Sequence, residues 1–186
     1  MMQQNDIHLI NRILDGDIRS YSVLVERHKN LAFTIAYRLL NNREDAEEAV
    51  QDAFVKAYRS LSGFRQDSRF STWLFRIVYN TAISKRRLKK PGFQSIDDLS
   101  ILKESSEKVE IQGNPDEERG LMLERALQQL PEDDRVLITL FYIHESSVEE
   151  IHHITGLTKS NIKVKLFRAR KKLQELIGLA TEKVYS

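Results

Sequence analysis

The chain has 186 residues, with 29 lysines and arginines against 27 aspartates and glutamates, 41% hydrophobic content and no cysteine. These figures describe an ordinary chain of one or two domains and exclude a collagenous, mucin-like or disulfide-scaffolded protein, a thiolate metal site and a cysteine nucleophile. No stretch nears the roughly 18 apolar residues of a membrane span, and the first residues show no basic start followed by an apolar run, so the expected compartment is cytoplasmic.

Helical periodicity dominates and no convincing period-2 strand is present, which predicts an all-α fold. Asp6 is the expected N-cap of a short helix carrying Ile7, Ile10, Ile13 and Leu14, ended by the turn at residues 15–17. A longer helix over residues 20–40 has Leu24, Leu31, Ile35 and Leu39 on one side and breaks at Asn41 and Asn42. The next, over 44–61, turns Ala46, Ala49, Val50, Ala53, Phe54, Ala57 and Tyr58 inward and leaves Glu44, Asp45, Glu47, Glu48 and Asp52 mostly outward. A loop rich in aromatic and basic residues follows, and Ser71 is the expected N-cap of a helix over 72–90 that packs through Trp73, Leu74, Ile77, Val78 and Thr81.

Pro91 and Gly92 stop that helix, and residues 91–115 are acidic without sustained periodicity, as in a flexible linker. Helical signals resume near Pro115 with Leu121, Leu123, Leu127 and Leu130, and a fresh helix opens at Pro131. Ser147 and Glu150 fit a capping box for a short helix that ends at Gly156, and Thr158 caps a last helix reaching about residue 177.

The net charge of +2 hides strong segregation. Residues 63–90 carry eight basic groups against one acidic, residues 91–134 four against twelve, and residues 158–186 eight against two. Two basic blocks around an acidic middle suit a polyanion touched at two places.

The final helix pair has the helix-turn-helix layout, in which the second helix enters the DNA major groove. Its wheel puts Ile162, Leu166, Ala169, Leu173, Leu176 and Ile177 on one face and Ser160, Val164, Phe167, Arg168 and Lys171 on the other. By pattern alone this basic side fits both a reading helix and a solvated face of a bundle. Phe64, Phe70 and Trp73 beside Arg65, Arg69 and Arg76 suit unstacked bases, though aromatics at helical spacing also build cores, and Trp73 is expected to be partly structural. The carboxylates of residues 44–52 read as a solvated face or a docking surface for a basic partner, since no His, Ser or metal-ligand pattern converges on them. His152 and His153 are adjacent and point to different sides of a helix, so no metal site is expected.

In order and spacing these segments resemble the extracytoplasmic-function (ECF) group of bacterial RNA polymerase sigma factors. The resemblance rests on EDAEEAVQDAFVKAYR at 44–59, on Phe64 followed by FSTWLFRI at 70–77 and Asn80, on Leu130 with Pro131, on Glu150 with Ile151, and on FRARKKL at 167–173. It implies a region 2-like domain over 1–90, a linker over 91–115, a region 4-like helix-turn-helix domain over 116–178 and a tail over 179–186. It implies docking on core polymerase through Asp45, Glu48, Gln51 and Asp52. It assigns melting of the −10 element and capture of an extruded base to Lys56, Phe64, Phe70, Ser71, Trp73 and Asn80, with Arg86 and Arg87 of the basic run added. The −35 element falls to Lys163, Val164, Phe167, Arg168 and Arg170, with Ser160, Asn161 and Lys171 beside them. Core RNA polymerase and promoter DNA are the implied partners and an anti-sigma protein is a further candidate; no cofactor, metal, catalytic residue or membrane insertion is expected.

The competing reading is a helix-turn-helix regulator that is not a polymerase subunit. Against it stand the acidic helix and the basic aromatic loop. The chain departs from the family pattern at Ser84, where an Asp is frequent, at His152, where a small Ala is usual and looser packing is expected, and at Val164, a position more often polar, where contact with a thymine methyl is expected to shift the preferred base.

Overall fold

The computed structural model describes residues 2–89 and 115–184, with side chains over residues 5–89 and 119–178. Among these residues it is helical with no strand, in agreement with the all-α expectation. The expected linker lies outside them except for Pro115, which begins a helix.

Helix α1 spans Met2–Leu14, so Asp6 is not its cap. Asp6 instead lies inside the helix, 5% exposed, accepting a hydrogen bond from the Arg27 guanidinium and lying 3.0 Å from His28 Nε2. A buried carboxylate needs partners, and α2 supplies both. Helix α2, Arg19–Leu40, buries Leu24, Ile35 and Leu39 and ends at Asn41 in the left-handed region, φ 50°, which Asn tolerates better than most residues. The next residue, Asn42, is extended, and its Oδ1 accepts from the Asp45 N–H at 2.9 Å to start α3, Arg43–Ser60.

Ala46, Ala49, Ala53 and Ala57 are fully buried along one stripe of α3, so the helix sits close against α2 and α4. Tyr58, expected inward, is 39% exposed and lies edge-on to Tyr21, whose hydroxyl donates to the Phe54 carbonyl at 2.6 Å. A 3₁₀ turn at Leu61–Gly63 leads to the aromatic loop and α4, Phe70–Lys89. The helix begins before Ser71 because the Trp73 N–H already donates to the Arg69 carbonyl at 3.2 Å; Ser71 is a half-buried residue of its first turn and not a cap. Phe70, Leu74, Phe75 and Val78 are buried beneath it.

In the second half α5 spans Pro115–Gln128 and α6 spans Glu132–Ile138. Leu127 and Leu130 are buried, whereas Leu121 and Leu123 are exposed. Pro131 stands just before α6, its carbonyl accepting from the Arg135 N–H at 3.0 Å. The helix continues into a π-turn, Thr139–Ile143, closed by the His144 N–H on the Thr139 carbonyl at 3.1 Å. Helix α7, Val148–Thr155, has the expected capping box of Ser147 and Glu150 and closes on Gly156 at φ 75°, a conformation that favours glycine. Helix α8 spans Lys159–Val184, past the expected end, and Thr158 Oγ1 accepts from the Asn161 N–H at 3.2 Å. His152 does not loosen the pair: its Nδ1 lies 2.7 Å from the Leu157 carbonyl across the turn, and Ile151 and Ile154 remain buried.

The halves pack on each other, α4 against α7 and α2 against α6. Arg38, 7% exposed, makes a bidentate pair with Glu124, one arm at 2.7 Å. Arg86 reaches Asp133 at 3.2 Å and Arg69 lies 3.4 Å from Glu150. The rings of Phe75 and His144 meet edge-on at 5.2 Å. Burial, reinforced by the Asp133 carboxylate, pushes the Tyr79 hydroxyl up to about 12.

Candidate nucleic-acid interface

Two surfaces of the first half follow from how α3 and α4 pack. Trp73, Ile77, Asn80 and Ser84 recur at helical spacing along one side of α4, so an aromatic end and a polar end lie on a single face. At the aromatic end the rings of Phe64, Phe70 and Trp73 form a triangle, with centroids 5.3 to 5.8 Å apart. Such tilted and edge-on contacts fix the rings against one another. Phe70, at 2% exposure, also packs against His28 and has no face left for a base, so in this structure it supports Phe64 and Trp73, which are half-buried.

At the polar end α3 and α4 enclose an open groove of about 310 Å3, lined by Lys56, Ser60, Ile77, Asn80, Thr81 and Ser84. Lys56 Nζ donates to Thr81 Oγ1 at 3.2 Å, which holds the ammonium at the groove wall. Ser84 Oγ donates to the Asn80 carbonyl at 2.8 Å, leaving the Asn80 side chain exposed. The family resemblance groups Lys56 with Asn80 but not with Ser60 or Thr81, whose small hydroxyls carry no pattern of their own.

The acidic face of α3 is divided. Glu48, Gln51 and Asp52 are exposed, whereas Asp45 is only 9% exposed and turns toward the end of α4. There Lys89 Nζ donates to it at 2.5 Å and Lys85 lies 3.8 Å away while also pairing with Glu48 at 2.6 Å. The expectation of an outward Asp45 is thus corrected: these lysines draw it in, since a carboxylate this buried needs cationic partners. Arg86, predicted for DNA, is held by Asp133, whereas Arg87 is exposed.

In the second half, Ile162, Leu166, Ala169 and Leu173 bury one face of α8. Lys165, paired with Asp134 at 2.9 Å, fixes the helix to α6. Ser160, Lys163, Val164, Phe167, Arg168, Arg170 and Lys171 are exposed and Asn161 is half-buried. The Arg170 guanidinium lies 6.0 Å from the Phe167 ring centroid. Lys163, Arg168 and Lys171 form no ion pair with a described residue.

Residues 24–91 match sigma-70 region 2 and residues 120–173 match sigma-70 region 4, in that order along one chain. That pairing defines an RNA polymerase sigma factor. The chain is 30% identical to RNA polymerase sigma-H factor of Pseudomonas aeruginosa over 95% of its length and 96% of the relative's, and 34% identical to ECF RNA polymerase sigma-E factor of Escherichia coli over 94% and 97%. Similar solved folds are CnrH in complex with the cytosolic domain of CnrY, at TM-score 0.64, 24% identity and coverage of 92% of this chain and 96% of that one, and the sigma factor RpoE of Bartonella quintana with the anti-sigma factor NepR, at 0.62, 25%, 86% and 98%. The chain belongs to the ECF group of the sigma-70 family: it binds core RNA polymerase and directs promoter recognition, strand opening and transcription initiation. Among the described residues no helix is long and apolar enough to cross a membrane.

Proposed function

We propose that the two halves divide promoter recognition, residues 1–90 docking on core polymerase and opening the −10 element and residues 116–178 reading the −35 element, without a catalytic residue. The observation that carries this reading is the single face of α4 that joins a fixed aromatic platform to a polar groove. Extruding a base costs a few kcal/mol of stacking, and a ring face at one end with hydrogen-bonding groups at the other recovers it. On this reading Phe64 and Trp73 stack, Asn80 and Lys56 meet the extruded base, and Ser71 and Arg87 line the approach. Phe70 positions these two half-buried rings.

Glu48, Gln51 and Asp52 offer an acidic patch to a basic surface of the polymerase, with Asp45 holding the patch to α4. On α8, Arg168 meets base edges while Lys163, Arg170 and Lys171 meet phosphates, and Ser160 and Asn161 flank them at the start of the helix. The likeness to RpoE bound to NepR supports an anti-sigma protein as a third partner, and transcription places the site of action in the cytoplasm.

The test is run-off transcription with purified core polymerase on genomic fragments. Wild-type chain should give discrete transcripts; Glu48→Lys with Asp52→Lys should abolish them together with co-purification. Asn80→Ala should spare duplex capture and lose opening, with a pre-melted promoter restoring activity. Arg168→Ala should cost about 1 to 3 kcal/mol at one base pair, whereas Lys171→Ala should weaken all promoters and lower the salt slope by about one. Equal Asn80→Ala defects on duplex and pre-melted templates would overturn the base-capture assignment.

A further inference from the structure

Val164 is the outermost apolar residue of the early part of α8. It stands nine residues from the buried Leu173, two and a half helical turns, and therefore on the opposite face. It is 46% exposed, and its outward neighbours along the helix are Lys163, Phe167, Arg168 and Lys171. Valine is no structural preference there: it is a poorer helix former than the lysines around it, and nearly half of its surface is open to solvent. It is, however, stiff, because its two γ-methyl groups hold one preferred rotamer in a helix, so it presents a fixed apolar tip at little entropic cost.

The major groove offers such a tip one apolar feature, the thymine 5-methyl group, since its other base-edge features are hydrogen-bonding groups. Lys163 and Lys171 are placed to bind the phosphates that flank a base edge, beside the base-reading Arg168. Phe167, 60% exposed, is the other apolar candidate, but its ring leans toward the Arg170 guanidinium and lines a second groove with Tyr142 and Lys163, off the outermost line of the helix. We propose that Val164 reads a thymine methyl group at one position of the −35 element and makes thymine the preferred base there. This rests on the assignment of α8 as the −35 reading helix.

Holoenzyme assembled from the full chain and core polymerase first selects binding sites from a library randomised across the −35 element; at least one fixed thymine is expected. Each thymine is then replaced by deoxyuridine, which keeps every hydrogen-bonding group and removes only the methyl. With wild-type chain one replacement should lower affinity about fourfold, the worth of one buried methyl-sized group. Val164→Ser should bind the thymine and deoxyuridine sites equally. Arg168→Ala is scored in parallel for loss of single-base selectivity. A flat deoxyuridine scan with selectivity still lost in Arg168→Ala overturns the role of Val164 and leaves the reading helix standing. A deoxyuridine effect that persists in Val164→Ser assigns the methyl to another residue and also overturns it. If Arg168→Ala leaves selectivity intact as well, α8 does not read the element and both assignments fall.

Discussion

Phe70 and Phe167 are both aromatic residues on the predicted DNA surfaces, yet Phe70 is 2% exposed and Phe167 60%. The contrast extends to charge. Around α4, Lys85, Lys89 and Lys56 are engaged with Glu48, Asp45 and Thr81. On the outer face of α8, Lys163, Arg168 and Lys171 project without an ion partner among the described residues. On the proposed division of labour the difference follows from two tasks. Reading an intact groove needs a rigid helix with side chains that reach outward, and the duplex supplies the complementary shape. Holding a base that has left its stack needs a receptacle built in advance, because ordering it at the moment of opening would add its entropy to the unstacking cost.

The largest effect that sharpens this comparison is on stability. Phe70→Ala should cost about 3 to 5 kcal/mol, the usual range for a buried Phe, because it removes a ring shared by Phe64, Trp73 and His28. Phe167→Ala should stay within about 0.5 kcal/mol of wild type in stability while weakening promoter binding. Urea unfolding of both variants, followed through Trp73 fluorescence and helical circular dichroism, checks the pair. Similar losses would erase the distinction between a built site and a projecting one.

Much of this organisation is legible in the chain. The alanine stripe of α3, the Ser147 and Glu150 capping box, Gly156 and the buried face of α8 all follow local rules of spacing and capping, and the structure has them. What the chain conceals depends on partners far along it. Asp6 has the look of a cap and Asp45 of a solvated carboxylate, but residues 21, 22, 40 and 44 positions away draw them inward. Arg69 ends its loop one residue ahead of Phe70, so Ser71 loses the cap position that its chemistry favours. The π-turn at Thr139–Ile143 has no signature in a 3.6-residue pattern, and nothing in either half announces its packing on the other.

That packing is the next place to break the comparison, because it joins the halves through charges. Arg38 and Arg135 are both nearly buried where α2 meets α6. Burial, together with the neighbouring Arg38 charge, holds the Arg135 guanidinium below its ordinary value against the pull of Glu132 and Glu124. Glu124→Gln removes the carboxylate from Arg38 and should cost about 1 to 2 kcal/mol, less than a fully buried pair, because 38% of the Glu124 side chain stays in water. The chain has no cysteine, so Ser60→Cys with Gln174→Cys allows clean spin labelling of the two halves. Glu124→Gln should broaden the label-to-label distance distribution. An unchanged distribution with unchanged stability would show that this pair does not hold the halves together.

The smallest effect expected is a dependence on pH, and it comes from His144. Its ring packs edge-on against Phe75 of α4, and burial lowers its pKa from the ordinary 6.5. Among the groups that face it, the Glu150 carboxylate pulls the value up, whereas His28 on α2 and Arg69 before α4 push it further down. A base whose packed-state pKa is depressed binds its proton less readily than it does when released. Its contribution to stability is therefore complete above about pH 6.5 and declines as the pH falls toward the lowered value. Asp6 also weakens the fold in acid, but in a different window. Burial raises its pKa and the bonds and charges of His28 and Arg27 more than reverse this, so its contribution is lost only below the ordinary carboxylate value of 3.8. Stability measured from pH 7.5 to 3 should thus fall in two stages. His144→Gln should flatten the stage just below pH 6.5 and leave the lower one, whereas Asp6→Asn should do the reverse. The slopes carry the result, so an overall loss of stability in either variant does not obscure it, and an unaltered upper slope in His144→Gln would mean that the contact between α4 and the second half is indifferent to the charge of this imidazole.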